Sequence, residues 1–409
     1  MAVIPDTFVT DYSNYVPNFI EELTRPLTAE EAADGTYAPP NPPRIAMTGT
    51  YDEITDYFEG DEIAHASGGP WSWMTIGLPI VPPTEEAVAR MLTGTSHSPD
   101  EVIAFARGKY EATIEKVAVN AVMAGCKPEY MPVVLAIAEN GACVGYGGDS
   151  SFAHFYVVSG PIGKEIGMNS GFMFLAPGNR ANETIQHACG LMGFNLGYAD
   201  FGITVLERTS GPWGEIFAEH PDTPWDTLAQ HYGYSADESI LCAWGRKVHL
   251  NPFQNIEVQN ATTLEECQAG TPDHIVTALS TLTNVYGALV NFGPDTANLY
   301  KRKYGWDTIA EIQEYLWDNC TWRAGDWYQN YWFVTHHHDR SVKERPAGEK
   351  GISTAHLGLP PDAQVPLFWE PESIAIIVAG GSGDSWTWGG SGAGPGVCGP
   401  SVISIDKWR

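Results

Sequence analysis

The chain has little positive charge: 22 Lys and Arg stand against 50 Asp and Glu, a formal charge of −28 over 409 residues. A surface of that sign repels phosphate backbones and anionic membrane, so no nucleic-acid or membrane partner is expected. Most of the acids serve solubility, and cation binding is the lesser alternative. No run of about 18 apolar residues occurs, which excludes a conventional membrane-spanning helix. Met1 is followed at once by Ala2-Val-Ile-Pro-Asp6, without the basic and apolar regions of a secretion signal. Cys-x-x-Cys is absent, and the seven cysteines are odd in number and scattered. That pattern argues against a disulfide framework, zinc ribbons and thioredoxin-type motifs, and leaves a reducing cytoplasm as the expected location. No repeat of about 20–50 residues is visible.

Apolar and aromatic mass is plentiful: 43% hydrophobic residues, with 14 Trp, 18 Tyr and 15 Phe. At this length a substantial core is expected. Residues 1–60 are acidic and proline-punctuated, notably Tyr37-Ala-Pro-Pro-Asn-Pro-Pro-Arg44, and read as an extended N-terminal arm docking through Phe8, Tyr12, Tyr15 and Phe19. Residues 61–409 read as an α/β or α+β body, a mixed sheet core with flanking helices, divisible into lobes at 61–250 and 251–409. Thr84 caps an expected helix after Pro82 and Pro83, and Asp100 to Arg107 reads as another. Further helices are expected after the turn at Pro177, over Thr271 to Leu289 and over Thr308 to Asn319, with Asn179 or Asn182 capping the first. Strands are expected at Phe155 to Ser159, Ser239 to Trp244, Asn255 to Gln259 and Ser373 to Ala379, and the run from Trp327 to Val334 is strand-like. The arm and the aromatic surface point to a homo-oligomer.

The most informative stretch runs from Ala112 to Met131. Ile114, Val117, Ala118, Ala121, Val122 and Gly125 share one helical face. Gly125 suits the left-handed residue that ends a helix, and Pro128 suits the first turn of the next. Cys126 therefore sits where amides of a new helix point, beside Lys127, and both features favour a thiolate. Asn120, nearly two turns earlier, is the candidate orienter of the sulfur. The alternative is that Cys126 is a small buried hydrophobe.

The run Lys116-Val-Ala-Val-Asn-Ala-Val-Met-Ala-Gly-Cys-Lys-Pro-Glu-Tyr130 resembles the signature of bacterial proteins related to the UGSC family of (seleno)proteins. The residues from Pro82 to Leu92, Met168 to Gly171, Pro177 to Asn182 and Val378 to Gly381 resemble the same group. The resemblance covers roughly residues 80–200 and the glycine-rich end, and implies a cytoplasmic enzyme with thiol or selenol chemistry. No Cys-Gly-Ser-Cys occurs here, and Gly396-Val-Cys-Gly399 offers a single thiol. A one-cysteine role is therefore what the resemblance leaves.

Around that corner a small-molecule pocket is expected. Gly380 and Gly381 follow an apolar strand and can cradle an anion with bare amides, and Trp386 and Trp388 in the glycine-rich C-terminal loop would close over a substrate. No Gly-Lys-Ser/Thr follows, so this is not a Walker loop. Arg180 with Asn169 and Asn179 suits a carboxylate clamp, although asparagines beside glycines also serve as turn and cap residues. His187 is a candidate general base facing Cys126, or a satisfied core histidine. His336 and His338 lie on one strand face of the His336-His-His-Asp339 run and are possible ligands of a transition metal, the alternative being an exposed loop. Three functions follow: a thiol-dependent redox or lyase enzyme, a metal-dependent enzyme using the histidine run, and a non-catalytic binding or structural subunit.

Overall fold

The computed structural model describes residues 16–26, 29, 44–59, 75–106, 110–142, 155–197, 215–252, 272–281, 287–329, 359–368, 370–381, 386–391 and 400–409. Within the first sixty, where proline density predicts only an extended arm, lie two helices, α1 (Val16–Thr24) and α2 (Tyr51–Glu59). Pro17 falls in the first turn of α1, where a missing N–H costs nothing.

The chain continues through α3 (Glu85–Leu92), β1 (Val102–Ala106), β2 (Tyr110–Thr113), α4 (Ile114–Met123), α5 (Met131–Ile137), β3 (Phe155–Ser159), α6 (Pro161–Glu165), α7 (Arg180–Asn195), β4 (Glu215–Ala218), α8 (Leu228–His231) and β5 (Ile240–Pro252). A second series follows: α9 (Pro272–Ser280), β6 (Gly287–Phe292), α10 (Pro294–Tyr304), α11 (Ile309–Asn319), β7 (Thr321–Arg323), α12 (Ala324–Gln329), β8 (Gln364–Pro366), β9 (Ile374–Val378), β10 (Trp386–Ser391) and β11 (Ser401–Ser404).

These two series build one plan twice. β3 pairs in parallel with β4 and antiparallel with β5; β6 pairs in parallel with β9 and antiparallel with β10. Each plan opens with a strand that runs into Gly-Pro and a helix, at Gly160-Pro161 and Gly293-Pro294. Proline at the first helical position gives up a donor that has no partner there anyway. Gly160 is also compulsory for space, because a Cβ there would lie 2.3 Å from the Glu238 carbonyl oxygen. The halves are joined by exchange. β5, 13 residues long, pairs β3 with its first part and β10 with its second, while β11, beyond β10, returns to the first part of β5. Register shifts around Gly390 supply the added twist that such a crossing needs.

Side-chain alternation sorts the sheet faces into layers. Phe155 and Val157 of β3, Phe217 of β4, Ile240 and Cys242 of β5, and Leu289, Ala375 and Ile377 of the second half form one buried cluster between the two half-sheets. Tyr156, Val158, Ile216, Ala218 and Leu241 face the other way, onto α4, α5 and α7. Ala288, Val290, Phe292, Ile374 and Ile376 do the same against α9, α10 and α11. The layers thus run helix, sheet, sheet, helix, which is the expected α/β class with a mixed sheet and flanking helices.

Capping agrees with the sequence at Thr84, whose hydroxyl accepts from the Ala87 amide, and the Thr308 hydroxyl likewise accepts from the Glu311 amide. Three elements differ from expectation. Asp100 to Arg107 is not helical; Val102–Ala106 is a strand whose partner is β2. The helix begun at Pro272 ends at Ser280, and Gly287 to Leu289 belong to β6, buried along its whole length. A strand covered on both faces loses its alternation and so reads like more helix. Trp327 begins no strand, since α12 extends to Gln329. The expected strand at Asn255 to Gln259 lies outside the described residues.

Candidate functional site

α4 starts at Thr113, whose hydroxyl accepts from the Lys116 amide, and buries Ile114, Val117, Ala118, Ala121 and Val122. It stops as the sequence predicts. Gly125 has φ +78°, its N–H donates to the Val122 carbonyl at 2.9 Å, and the Cys126 N–H donates to Ala121 at 3.0 Å. This pair of reverse bonds is the Schellman arrangement. It consumes the Cys126 amide in closing α4. The chain then enters a short 3-10 turn at Pro128–Tyr130 before α5.

Cys126 does not have the environment of an activated thiol. Its side chain is buried, and Sγ–H donates to the Thr184 carbonyl at 3.3 Å, a bond that only the protonated thiol makes. Burial pushes the thiol up to about 12, against smaller opposing effects of that hydrogen bond and of the Arg180 charge. Lys127 turns elsewhere, 3.6 Å from Glu129 and over the Tyr130 ring. The thiolate predicted from amide and lysine proximity is therefore corrected: desolvation wins. Asn120 is not its orienter either. Asn120 Nδ2 donates to the Lys116 carbonyl, and Oδ1 accepts from Asn195 Nδ2 at 2.8 Å.

Two other predicted residues do reach the corner, both on α7. Arg180 Nη2 approaches the Gly125 carbonyl at 3.4 Å, Thr184 supplies the acceptor for Cys126, and His187 lies against the Ala124 and Thr75 backbone. Positions 180, 184 and 187 share a helical face, so one stripe of α7 meets Gly125, Cys126 and Ala124 in turn. Burial lowers the His187 pKa below its usual value, with the Thr75 and Ala124 contacts acting in the opposite sense. Its Nε2 is buried and without a hydrogen-bond partner among the described residues. Arg180 is exposed and makes no ion pair among the described residues. Beside His187, Ile76 has φ +57°, a region that β-branched residues rarely enter.

No family model, curated protein or solved structure matches this chain.

The asparagines prove to be stitches. Asn179 is the residue before α7, yet its side chain does not cap the helix. It turns back, donating to the Met173 and Ala176 carbonyls and accepting from Asn169 Nδ2, all at 2.8 Å. Asn182 completes the net by accepting from the Asn169 amide and donating to its carbonyl. These bonds hold Met173 at φ +58°. The Gly380 N–H donates to the Ser170 carbonyl at 2.7 Å, so the end of β9 touches the asparagine loop that leads into α7. Gly381 follows it, half-buried in the same turn. Trp386 and Trp388 sit on β10, a strand paired to both β5 and β6, in place of the expected loop. His336 and His338 lie outside the described residues, and among the described residues no group of three His, Cys, Asp or Glu is placed to hold a metal.

Sequence reasoning missed a half-buried acid. Glu219, at the end of β4, accepts from Ser159 Oγ at 2.5 Å and from the Leu228 amide, while Ser159 Oγ accepts from the Ala229 amide. Burial raises the Glu219 carboxyl to about 7, partly offset by those bonds. Next to it, the His220 amide donates to the Val378 carbonyl, and its Nδ1 accepts from the Asp222 amide. The available signal was polar Glu219-His220 directly after the apolar Ile216-Phe-Ala218.

Proposed function

We propose that this protein is a small-molecule enzyme that binds an anionic substrate at the corner between α4 and α7 and moves a proton on it through His187. The stripe of Arg180, Thr184 and His187 against Ala124 to Cys126 carries the proposal. In a chain of charge −28, an exposed guanidinium without a carboxylate partner among the described residues suits a carboxylate or phosphate group. A neutral imidazole with a buried nitrogen that has no hydrogen-bond partner among the described residues suits proton abstraction, and the strained Ile76 turn beside it fits a site where geometry is held against local preference. Cys126 supplies a neutral S–H and a packed wall. Lyase-type chemistry fits this arrangement better than thiol redox chemistry, and the resemblance to UGSC-related proteins supports an enzyme without requiring the thiolate.

A cytoplasmic setting belongs to the same proposal, supported by the unpaired thiols of Cys126, Cys189, Cys242 and Cys320. Among the described residues no helix is long and apolar enough to cross a membrane. Self-association is supported by Phe172 and Met173, both exposed on the loop before α7.

The test is a calorimetric screen of dicarboxylates, 2-hydroxy acids and phosphate monoesters. A ligand should emerge whose affinity falls at least tenfold in Arg180→Gln, about 1.4 kcal/mol. His187→Gln should keep that affinity and lose exchange of the ligand's acidic C–H in D2O. A ligand indifferent to Arg180→Gln contradicts the site, and exchange surviving His187→Gln contradicts the base. A second reading, a non-catalytic binding subunit, is favoured by the Cys126 hydrogen bond to Thr184 and predicts binding without any exchange.

A further inference from the structure

We propose that His97 is a proton-operated clasp that fastens residues 406–409 to the segment before β1 and so closes one wall of a surface groove. The geometry names the state. His97 Nδ1 faces Glu101 Oε2 at 2.9 Å, and Nε2 faces the Lys407 carbonyl oxygen at 2.6 Å. Both partners are acceptors. A neutral imidazole has one N–H and leaves lone pair against lone pair at the other nitrogen, whereas the imidazolium donates to both. The ring also packs against Trp408, with centroids 4.9 Å apart.

What the clasp holds is a compact set of contacts. Trp408 is buried, and its indole N–H donates to Glu139 Oε2. Lys407 Nζ pairs with the same carboxylate, and Arg409 pairs with Glu165 and Asp406. Ser96 Oγ donates to the Arg409 carbonyl. The charged groups around His97 are therefore Glu101 on its own turn, Lys407, Asp406 and Arg409 on the clasped segment, Glu139 just beyond α5 and Glu165 on α6. Glu101 and the Lys407 carbonyl raise the His97 pKa above its usual 6.5, ahead of the opposing effect of burial.

The groove lies beside the clasp. It encloses about 400 Å³ and is lined by Thr93 to Ser96, Glu129, Ile162, Glu165 and Arg409. Arg409 is the wall that the clasp holds in place. Because the folded midpoint lies above 6.5, the clasp is complete below pH 6.5 and is lost as pH rises through the raised midpoint.

Hydrogen exchange of the full chain, corrected for intrinsic rate, tests this at pH 6.0 and 8.5. Peptides covering 404–409 and 93–101 should lose at least tenfold protection on going to the higher pH, and His97→Gln should show the looser state at both. Glu101→Gln, which keeps an acceptor but removes the charge, should move the transition to lower pH. Equal protection at both pH values in the wild type overturns the proposal. So does an unaltered transition in His97→Gln, or a His97 imidazole that titrates below 6.5 by NMR.

Discussion

The two halves of the sheet share a backbone plan and differ in what they bury where their parallel strands end. Glu219 N–H donates to Val158 at the exit of β4, and Ala379 N–H donates to Phe292 at the exit of β9, so the same stitch occurs twice. In the first half the exits hold Ser159, fully buried, hydrogen-bonded to the half-buried Glu219. In the second they hold Phe292 and Ala379, with the buried Asn291 amide donating to the Ala379 carbonyl and no acid among the described residues at the β9 exit. The outer helical layers differ in the same sense. Arg180, His187 and the Cys126 corner lie on the first, while Tyr300, Tyr304, Trp306 and Tyr315 stack on the second, with ring centroids between 5.1 and 5.7 Å apart. One copy of the plan carries the residues of the proposed site, and the other carries an aromatic stack.

The largest expected effect tests whether the halves fold as one. Phe217 sits between the half-sheets, in edge contact with Phe155 and Phe174. Phe217→Ala should cost about 3–5 kcal/mol and leave a single denaturant transition; two separated transitions would break the comparison into independent lobes. Next is the acid that only the first half has. Burial holds the Glu219 carboxyl up at about 7 against an ordinary 4.5, so the folded state binds the extra proton between those values. Its penalty is absent below pH 4.5, grows through the window and reaches roughly 3 kcal/mol above pH 7. Glu219→Gln should flatten that slope in urea melts, and an unchanged slope would deny the burial its role. Cys126→Ala should cost about 1–2 kcal/mol through the lost hydrogen bond and volume, with ligand binding retained. Loss of binding without loss of stability would restore Cys126 to the chemistry. Smallest of all, Arg180→Gln should change stability by no more than about 0.5 kcal/mol while removing anion affinity.

Local signals were legible where one residue decides. Gly125 stops α4 because it takes φ +78°, and the Thr84 and Thr308 hydroxyls open their helices as capping chemistry dictates. The α/β class and the strands at Phe155 and Ile374 follow from apolar runs between turns. What failed depends on distant partners. Val102–Ala106 is a strand because β2 lies beside it, and β6 reads as helix because both of its faces are covered. The same limit applies to the site. Spacing placed Cys126 at a helix junction, but only the packing of α7 turns its sulfur to the Thr184 carbonyl and away from water. Asn120 and Asn179 read as site residues by their amides, and those amides are spent on Asn195 and on the 173–176 turn. The duplication is invisible in sequence because it survives as hydrogen-bond topology and two Gly-Pro turns.

The most direct test is the titration of the His187 imidazole in ring-labelled protein, with its signal assigned by loss in His187→Gln. A polar first half with a neutral base beside Arg180 predicts a midpoint below 6.5, because burial disfavours the charged ring more than the Thr75 and Ala124 contacts support it. A midpoint at or above 6.5 would mean a ring that is charged or solvated, and would contradict the assignment of His187 as the base.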